Sequence, residues 1–276
     1  MKFKTIECGN HRIKLNKTLI MGILNVTNDS FYDGGRFFDV ESAVAHAKKM
    51  VGDGADMIDI GGESTRPGSN PISVEEEFSR VEPIIKILRK NIDVPISIDT
   101  YKPEVAEKCI NLGAEIVNDI TGLKNPKMIE LVANKKTPVI IMHMKGNPKS
   151  MQESPSYADV VNEIKEFLSE RISTAKKSGI KKIIIDPGIG FGKTTEHNLQ
   201  ILKRLSEFKD LNCPILIGTS RKSFIGQVTG LDINERLEGT IASIAIAIMN
   251  GADIVRVHDV KECKRAVQIA DAIINT

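Results

Sequence analysis

Paired cysteines are missing from this 276-residue chain. The four present, Cys8, Cys109, Cys213 and Cys263, lie far apart with no CxxC among them, which excludes a disulfide scaffold. They read as reduced, mostly buried thiols of a cytosolic protein. A histidine metal motif is missing too: His11, His46, His143 and His197 keep no ligand spacing and there is no HExxH, so no zinc site is expected. Net charge is almost absent, with 38 basic against 36 acidic residues mixed along the chain. With no basic arm, RNP-like aromatic motif or finger spacing, a nucleic-acid partner is not expected. The longest apolar run, IASIAIAIM from Ile241 to Met249, falls well short of the roughly 20 residues that span a bilayer, so no membrane partner is expected either. The opening stretch MKFKTIECGNHRIKLNK is charged throughout and has no signal-peptide core, which points to the cytoplasm.

What is present is 41% hydrophobic and 27% charged residues, the composition of a globular protein with a large core. Eight β-rich runs recur: TLIMGILNVT, ADMIDIGGES, VPISIDT, AEIVNDITG, TPVIIMHM, KKIIIDPGIG, CPILIGTS and ADIVRVHD. Each ends in a polar or glycine-containing stretch before an amphipathic segment. Continuous apolar strands alternating with helices indicate a parallel sheet covered on its outer face. Eight such units predict a closed (β/α)8 TIM barrel, a single domain over residues 1–276 with the barrel proper from about residue 18. An open doubly wound sheet is the rival. Residues 1 to 17 are expected to form a short N-terminal hairpin or arm over the barrel's N-terminal end. Ser73 with Glu76 reads as a capping box opening the second helix. Apolar faces are expected at Val160, Val161, Ile164, Phe167, Leu168 and Ile172 in the fifth helix. In the seventh they fall at Leu237, Ile241, Ile244, Ala245 and Ile248, and in the eighth at Ala266, Val267, Ala270 and Ile273.

In a barrel of this kind the site lies at the C-terminal ends of the strands. There the sequence collects Asn25, Asp59, Asp99, Asn118, Asp119, His143, Asp186, Ser220, Arg221, Lys222, Arg256 and His258. Any one of them could merely cap or pair with the next helix; together they are less easily explained so. Arg256 and His258 stand two apart, on one face of a strand, and suit a substrate carrying phosphate or diphosphate. The alternative is that Arg256 pairs with Asp259. Two long loops, NVTNDSFYDGGRFFD and GGESTRPGSNPIS, mix Gly, Pro, Ser and Asn with charges as a lid does, against a reading as solvated connectors. Lys222 could be a Schiff-base lysine, a donor to a substrate ring or carbonyl, or an ordinary helix-start lysine. The stretch IIIDPGIGFGK, Ile183 to Lys193, has the look of a phosphate cradle. Its glycines, however, do not open a helix directly after the strand, as such a loop requires.

In order and spacing, MGILNVTNDSFYDGG, DIGGESTRPG, ISIDT, VNDI, DPGIGFGKTTEHN, GTSRKSFIG and RVHDV resemble the signature blocks of the dihydropteroate synthase family, from about Thr18 to the last helix. The resemblance implies condensation of (7,8-dihydropterin-6-yl)methyl diphosphate with p-aminobenzoate to 7,8-dihydropteroate and pyrophosphate. It also implies Mg²⁺, a homodimer paired through late helices, and sulfonamides as p-aminobenzoate mimics. By that resemblance, Asp186 accepts from the pterin 2-amino group and N3–H, and Asn118 and Asp99 read the remaining ring edge. Lys222 donates to O4 and N5, Met142 packs in the pterin pocket, and Thr65 serves both substrates. Asn25 holds Mg²⁺, and Arg256 and His258 hold the diphosphate. Phe31, Thr65, Pro67 and Ser223 line the p-aminobenzoate site, while Asp33 organises the first loop. Asp99, Lys222 and Asp33 carry the catalytic roles, and Lys193 is expected to face solvent.

One departure from the family pattern is Asn28 where proline is usual, with Tyr32 in place of serine; a freer backbone there is expected to weaken the hold on p-aminobenzoate. The competing readings are a methyltetrahydrofolate:corrinoid methyltransferase, a non-catalytic pterin-binding paralogue, and a Schiff-base aldolase on Lys222.

Overall fold

The computed structural model describes residues 5–27, 40–66 and 68–276. Thr5–Cys8 (β1) and His11–Lys14 (β2) form an antiparallel hairpin. Eight strands follow: β3 Leu19–Asn25, β4 Met57–Gly61, β5 Ile96–Asp99, β6 Ile116–Asp119, β7 Val139–Met142, β8 Ile183–Asp186, β9 Leu216–Ile217 and β10 Ile254–Val257. They run parallel in the order β8-β7-β6-β5-β4-β3-β10-β9, and a bridge from Ile185 to Ile215 closes the ring. The barrel expected from the eight apolar runs is therefore the fold.

Between the strands stand α1 Val40–Gly52, α2 Val74–Leu88, α3 Pro103–Asn111, α4 Pro126–Lys135, α5 Val160–Lys177 and α6 Thr195–Lys203. After β9 come α7 Ser223–Thr229 and α8 Leu237–Met249, and α9 Val260–Ile274 follows β10. Proline opens α3 and α4, where its missing N–H costs nothing. The expected capping box at Ser73 is only half made. Ser73 Oγ accepts from Glu76 N at 3.0 Å, but the Glu76 carboxylate pairs with Arg80 at 2.6 Å instead. The complete box is at α6, where Thr194 and the His197 side chain satisfy each other's backbone N–H.

Alternation along the strands splits the core in two. Outward residues such as Ile20, Ile58, Ile98, Val117, Ile141, Ile185 and Val255 pack under the helices. Inward residues of the lower barrel, Leu19, Met21, Met57, Ile116, Ile140, Ile184, Leu216 and Ile254, join Ile6, Cys8 and Ile13 of the hairpin, which plugs the N-terminal end as expected. Burying each such side chain contributes about 1.5–3 kcal/mol. Glu115 pins the hairpin, accepting from Asn10 N at 3.1 Å and lying 2.9 Å from His11 Nδ1. All four cysteines are free and buried.

Two helix faces differ from expectation. On α8 the buried residues are Thr240, Ser243, Ile244, Ala247 and Ile248, while Leu237, Ile241 and Ala245 are half-exposed. The inner face is the more polar one because Ser243 Oγ donates to Thr219 at 2.9 Å and Thr240 accepts from Arg221 N at 3.0 Å. A helix apolar on nearly every side gives periodicity nothing to choose between. On α9, Val267 and Ala270 are buried but Ile273 is exposed.

Candidate active site

Going up the barrel, the inward positions change from apolar to polar. The strand register aligns Asn25 with Gly61, Gly61 with Asp99, and Asp99 with Asn118, one row across four neighbouring strands at their C-terminal ends. Across the barrel, Met142 of β7 pairs with Asp186 of β8. Arg256 starts two inward positions lower, opposite Met21, and its long side chain reaches Asp59 and Asp99. Its Nε donates to Asp59 Oδ2 at 2.6 Å and its Nη2 to Asp99 Oδ2 at 2.8 Å. Asn118 Nδ2 donates to the same Asp59 oxygen at 3.0 Å. Arg256 does not turn to Asp259, which is held bidentately by Arg221.

Asp59 and Asp99 are buried carboxylates, each with one oxygen lacking a hydrogen-bond partner among the described residues. Burial raises the Asp99 carboxyl above the usual range; the Arg256 charge opposes this and Asp59 reinforces it. The Asp186 carboxyl is also raised by burial, while a 2.7 Å bond from Gly188 N holds its Oδ1. Lys222 caps α7 and sits with Nζ 4.2 Å over the Phe191 ring. Burial, then Arg256, lower its ammonium to about 8. Ile120, Met142, Met144 and Met151, with Tyr101 and Phe191 against them, make an apolar floor beside these polar groups. His258 lies 2.9 Å from Ser220 Oγ through Nδ1; burial and the neighbouring Arg256 lower its pKa to about 3, so the imidazole is neutral. The site thus gathers buried carboxylates, an arginine, a lysine and a neutral imidazole beside an apolar cluster at one end of the barrel.

The stretch Ile183 to Lys193 takes a form the sequence did not foretell. Lys193 is buried, at 3% exposure, and not solvent-facing. Its Nζ donates to Phe191 O at 2.9 Å and lies 3.0 Å from His143 Nδ1, so it ties the loop after β8 to the end of β7. Burial lowers this ammonium to about 7 and the imidazole of His143 to about 2. The glycines serve the same close approach. Gly188 and Gly192 have φ of +72° and +63°, and a Cβ on either would overlap the carbonyl oxygen of His143 or Lys145.

Of the expected site residues, Asn25, Asp99, Asn118, Met142, Asp186, Lys222, Arg256 and His258 stand at the same end of the barrel. Thr65 is half-buried in the β4–α2 connection, and Ser223 is the exposed first residue of α7. Phe31, Asp33 and Pro67, like Asn28 and Tyr32, lie outside the described residues.

A family model described as pterin binding enzyme matches residues 21–258. The dihydropteroate synthase of Escherichia coli K12 is 47% identical over 265 residues, covering 95% of this chain and 94% of its own. The Yersinia pestis dihydropteroate synthase, solved as a sulfonamide drug complex, superposes with a TM-score of 0.94 at 42% identity, covering 99% and 100% of the two chains. The chain belongs to the dihydropteroate synthase family of pterin-binding enzymes. The Xanthomonas albilineans dihydropteroate synthase with 4-aminobenzoic acid matches equally well, at a TM-score of 0.94, 42% identity and 99% of each chain. The same enzyme in complex with 7,8-dihydropteroate gives a TM-score of 0.90 at 40% identity, over 99% of each chain.

Two features of this dihydropteroate synthase fold leave little trace in the sequence. Asp59 was visible only as one strand-end carboxylate among many; its spacing of two from Gly61 is the signal that it faces inward beside Arg256. The Lys193–His143 contact joins residues 50 apart and left no local pattern.

Proposed function

We propose that the chain condenses (7,8-dihydropterin-6-yl)methyl diphosphate with p-aminobenzoate, giving 7,8-dihydropteroate and pyrophosphate, with the residues above in the following roles. The observation that supports these roles is that Asp186, Lys222, Asn118 and Asp99 stand at one end of the barrel with Met142 and Phe191 beside them. Asp186, ionised, accepts two parallel N–H groups from the pterin, a contact that fixes ring orientation as well as affinity. Asn118 and Asp99 meet the opposite edge, and Lys222 donates to O4 and N5.

Arg256 spends two of its five N–H donors on Asp59 and Asp99, which holds the guanidinium in one plane. The others remain for the diphosphate, beside the neutral imidazole of His258. As the pterin-methyl C–O bond breaks, positive charge spreads into the ring, and Asp99, whose Oδ1 has no hydrogen-bond partner among the described residues, stabilises that charge. The aniline nitrogen then adds from the far side, and no protein nucleophile is needed. Thr65 and Ser223 serve the p-aminobenzoate side.

Asn25 fits as the protein ligand of Mg²⁺. It offers one hard side-chain oxygen at a strand end. A single hard oxygen suits a cation that takes its other ligands from diphosphate and water. When bound, that ion neutralises the leaving diphosphate. A homodimer formed through α8 and α9 is supported by their mutual packing and by Ile246, Met249, Ile269 and Ile273 on their outer faces. The free buried cysteines support a cytoplasmic location.

The test mixes the pterin diphosphate, p-aminobenzoate and Mg²⁺ and measures pyrophosphate. Release that depends on p-aminobenzoate and stops with a chelator is the expected result. Tight pterin binding without turnover would favour the non-catalytic paralogue.

A further inference from the structure

Lys102 follows Asp99 by three residues and stands at the start of α3, where its side chain makes no cap bond. Its ammonium turns instead toward the connection between β4 and α2. It donates to Glu63 Oε2 at 2.6 Å, to Glu77 Oε2 at 2.8 Å and to the carbonyl of Ile72 at 2.7 Å. Glu63 and Ile72 are the two ends of that connection. They also bond to each other, Ile72 N donating to Glu63 Oε2 at 2.9 Å. Tyr101 OH donates to the other Glu63 oxygen at 2.7 Å, and Arg80 donates to the carbonyl of Gly62 at 2.9 Å. The three side chains are nearly dry, with 12%, 7% and 1% of Lys102, Glu63 and Glu77 exposed, and burial raises the Glu77 carboxyl. Burial works against the Lys102 charge, but the bonds it donates to Glu63 and Glu77 more than offset it, so the ammonium stays charged.

We propose that Lys102 is a positioning residue for p-aminobenzoate: by clamping both ends of the 62–73 connection to the end of β5, it sets where Thr65 stands relative to Asp99. This rests on the function proposed above and adds a residue that acts through Glu63 and not by touching substrate. Within the clamp the connection is folded tightly, with Ser69 Oγ donating to Ser64 O at 2.6 Å and Ser69 N to Arg66 O at 3.1 Å. Gly68 N donates to Pro148 O at 3.0 Å, so the far side leans on the loop after β7. The pterin walls, Asp186 and Lys222, come from β8 and α7 and owe nothing to this clamp. A fault in it therefore falls mainly on p-aminobenzoate, because Asp186 and Lys222 still hold the pterin when Thr65 is displaced.

The experiment compares Lys102→Met, Lys102→Arg and Tyr101→Phe with the parent protein. Steady-state kinetics are run in both substrates, alongside calorimetric titration with the pterin diphosphate alone. Lys102→Met is expected to raise the KM for p-aminobenzoate about tenfold while the pterin Kd stays within about twofold. Lys102→Arg, which keeps charge and donors, recovers part of the loss. Tyr101→Phe removes one neutral donor and leaves the charges paired, so it folds even where Lys102→Met strands two buried carboxylates. It is expected to give the same split at about two- to threefold. Hydrogen exchange over residues 68–72 rises in the same order. Equal changes in both substrates, or a lower melting temperature with neither KM altered, would overturn the proposal. If the parent protein itself gave no p-aminobenzoate-dependent pyrophosphate, the proposed function would fail instead.

Discussion

Asp186 has one oxygen partly committed to the N–H of Gly188, and its carboxyl is raised by burial, so its ionised form gains most when it meets paired donors. Asp186→Asn replaces an acceptor with a donor at that point. The expected cost to pterin affinity is about 3 kcal/mol, over roughly 100-fold, read by titration calorimetry on a protein whose melting temperature is little changed. Lys222 supplies a pH signature. Its ammonium is lowered to about 8 by burial and by Arg256, so its charge is present below about pH 8 and lost above it. Pterin binding should therefore weaken as pH rises through that value. Lys222→Arg, charged throughout the range, should push this alkaline limb out of reach, and a limb unmoved by the substitution would assign it to another group.

At the scale of elements, the junction of β7 and β8 is where local sequence misled. Lysine after three glycines reads as solvent-facing, yet Lys193 is the tie between two strand ends. Lys193→Ala leaves the Phe191 carbonyl and the His143 ring without their donor, an expected loss of about 1–3 kcal/mol in denaturant unfolding. The pH dependence has a definite sign. The folded-state pKa of about 7 lies below the ordinary 10.5, so between those values the unfolded chain binds more protons and stability rises with pH. The alanine variant lacks that rise. The gap in stability between parent and variant should consequently be wider at pH 9 than at pH 7, and a gap that narrows would contradict the buried tie.

For the whole molecule, the exposed apolar residues of α8 and α9 are the surface on which the proposed dimer would form. Ile246 and Met249 are each 51% exposed and Ile269 and Ile273 are 65% and 58% exposed, an apolar stripe of the kind that marks an interaction surface. Two glutamates, Ile269→Glu and Ile273→Glu together, should convert a dimer to a monomer in sedimentation velocity. Pterin affinity should hold, because Asp186 and Lys222 stand on other elements. A parent protein already monomeric at micromolar concentration would remove the dimer.

The sequence by itself determined the barrel and most of its site. Eight β-branched runs with intervening helices leave few other topologies, and a strand-end position dictates both the face and the end of the barrel at which Asp99, Asn118, Asp186 and Arg256 appear. Only the tertiary structure decided which partner each charge takes. Arg256 meets Asp59 and Asp99 from strands 157 or more residues away, Lys193 meets His143, and Lys102 joins Glu63 to Glu77. Ring closure brings such groups together, and a contact formed by closure leaves no period or spacing along the chain. The outward face of α8 was hidden for a related reason: in a helix apolar all round, packing alone selects the buried side.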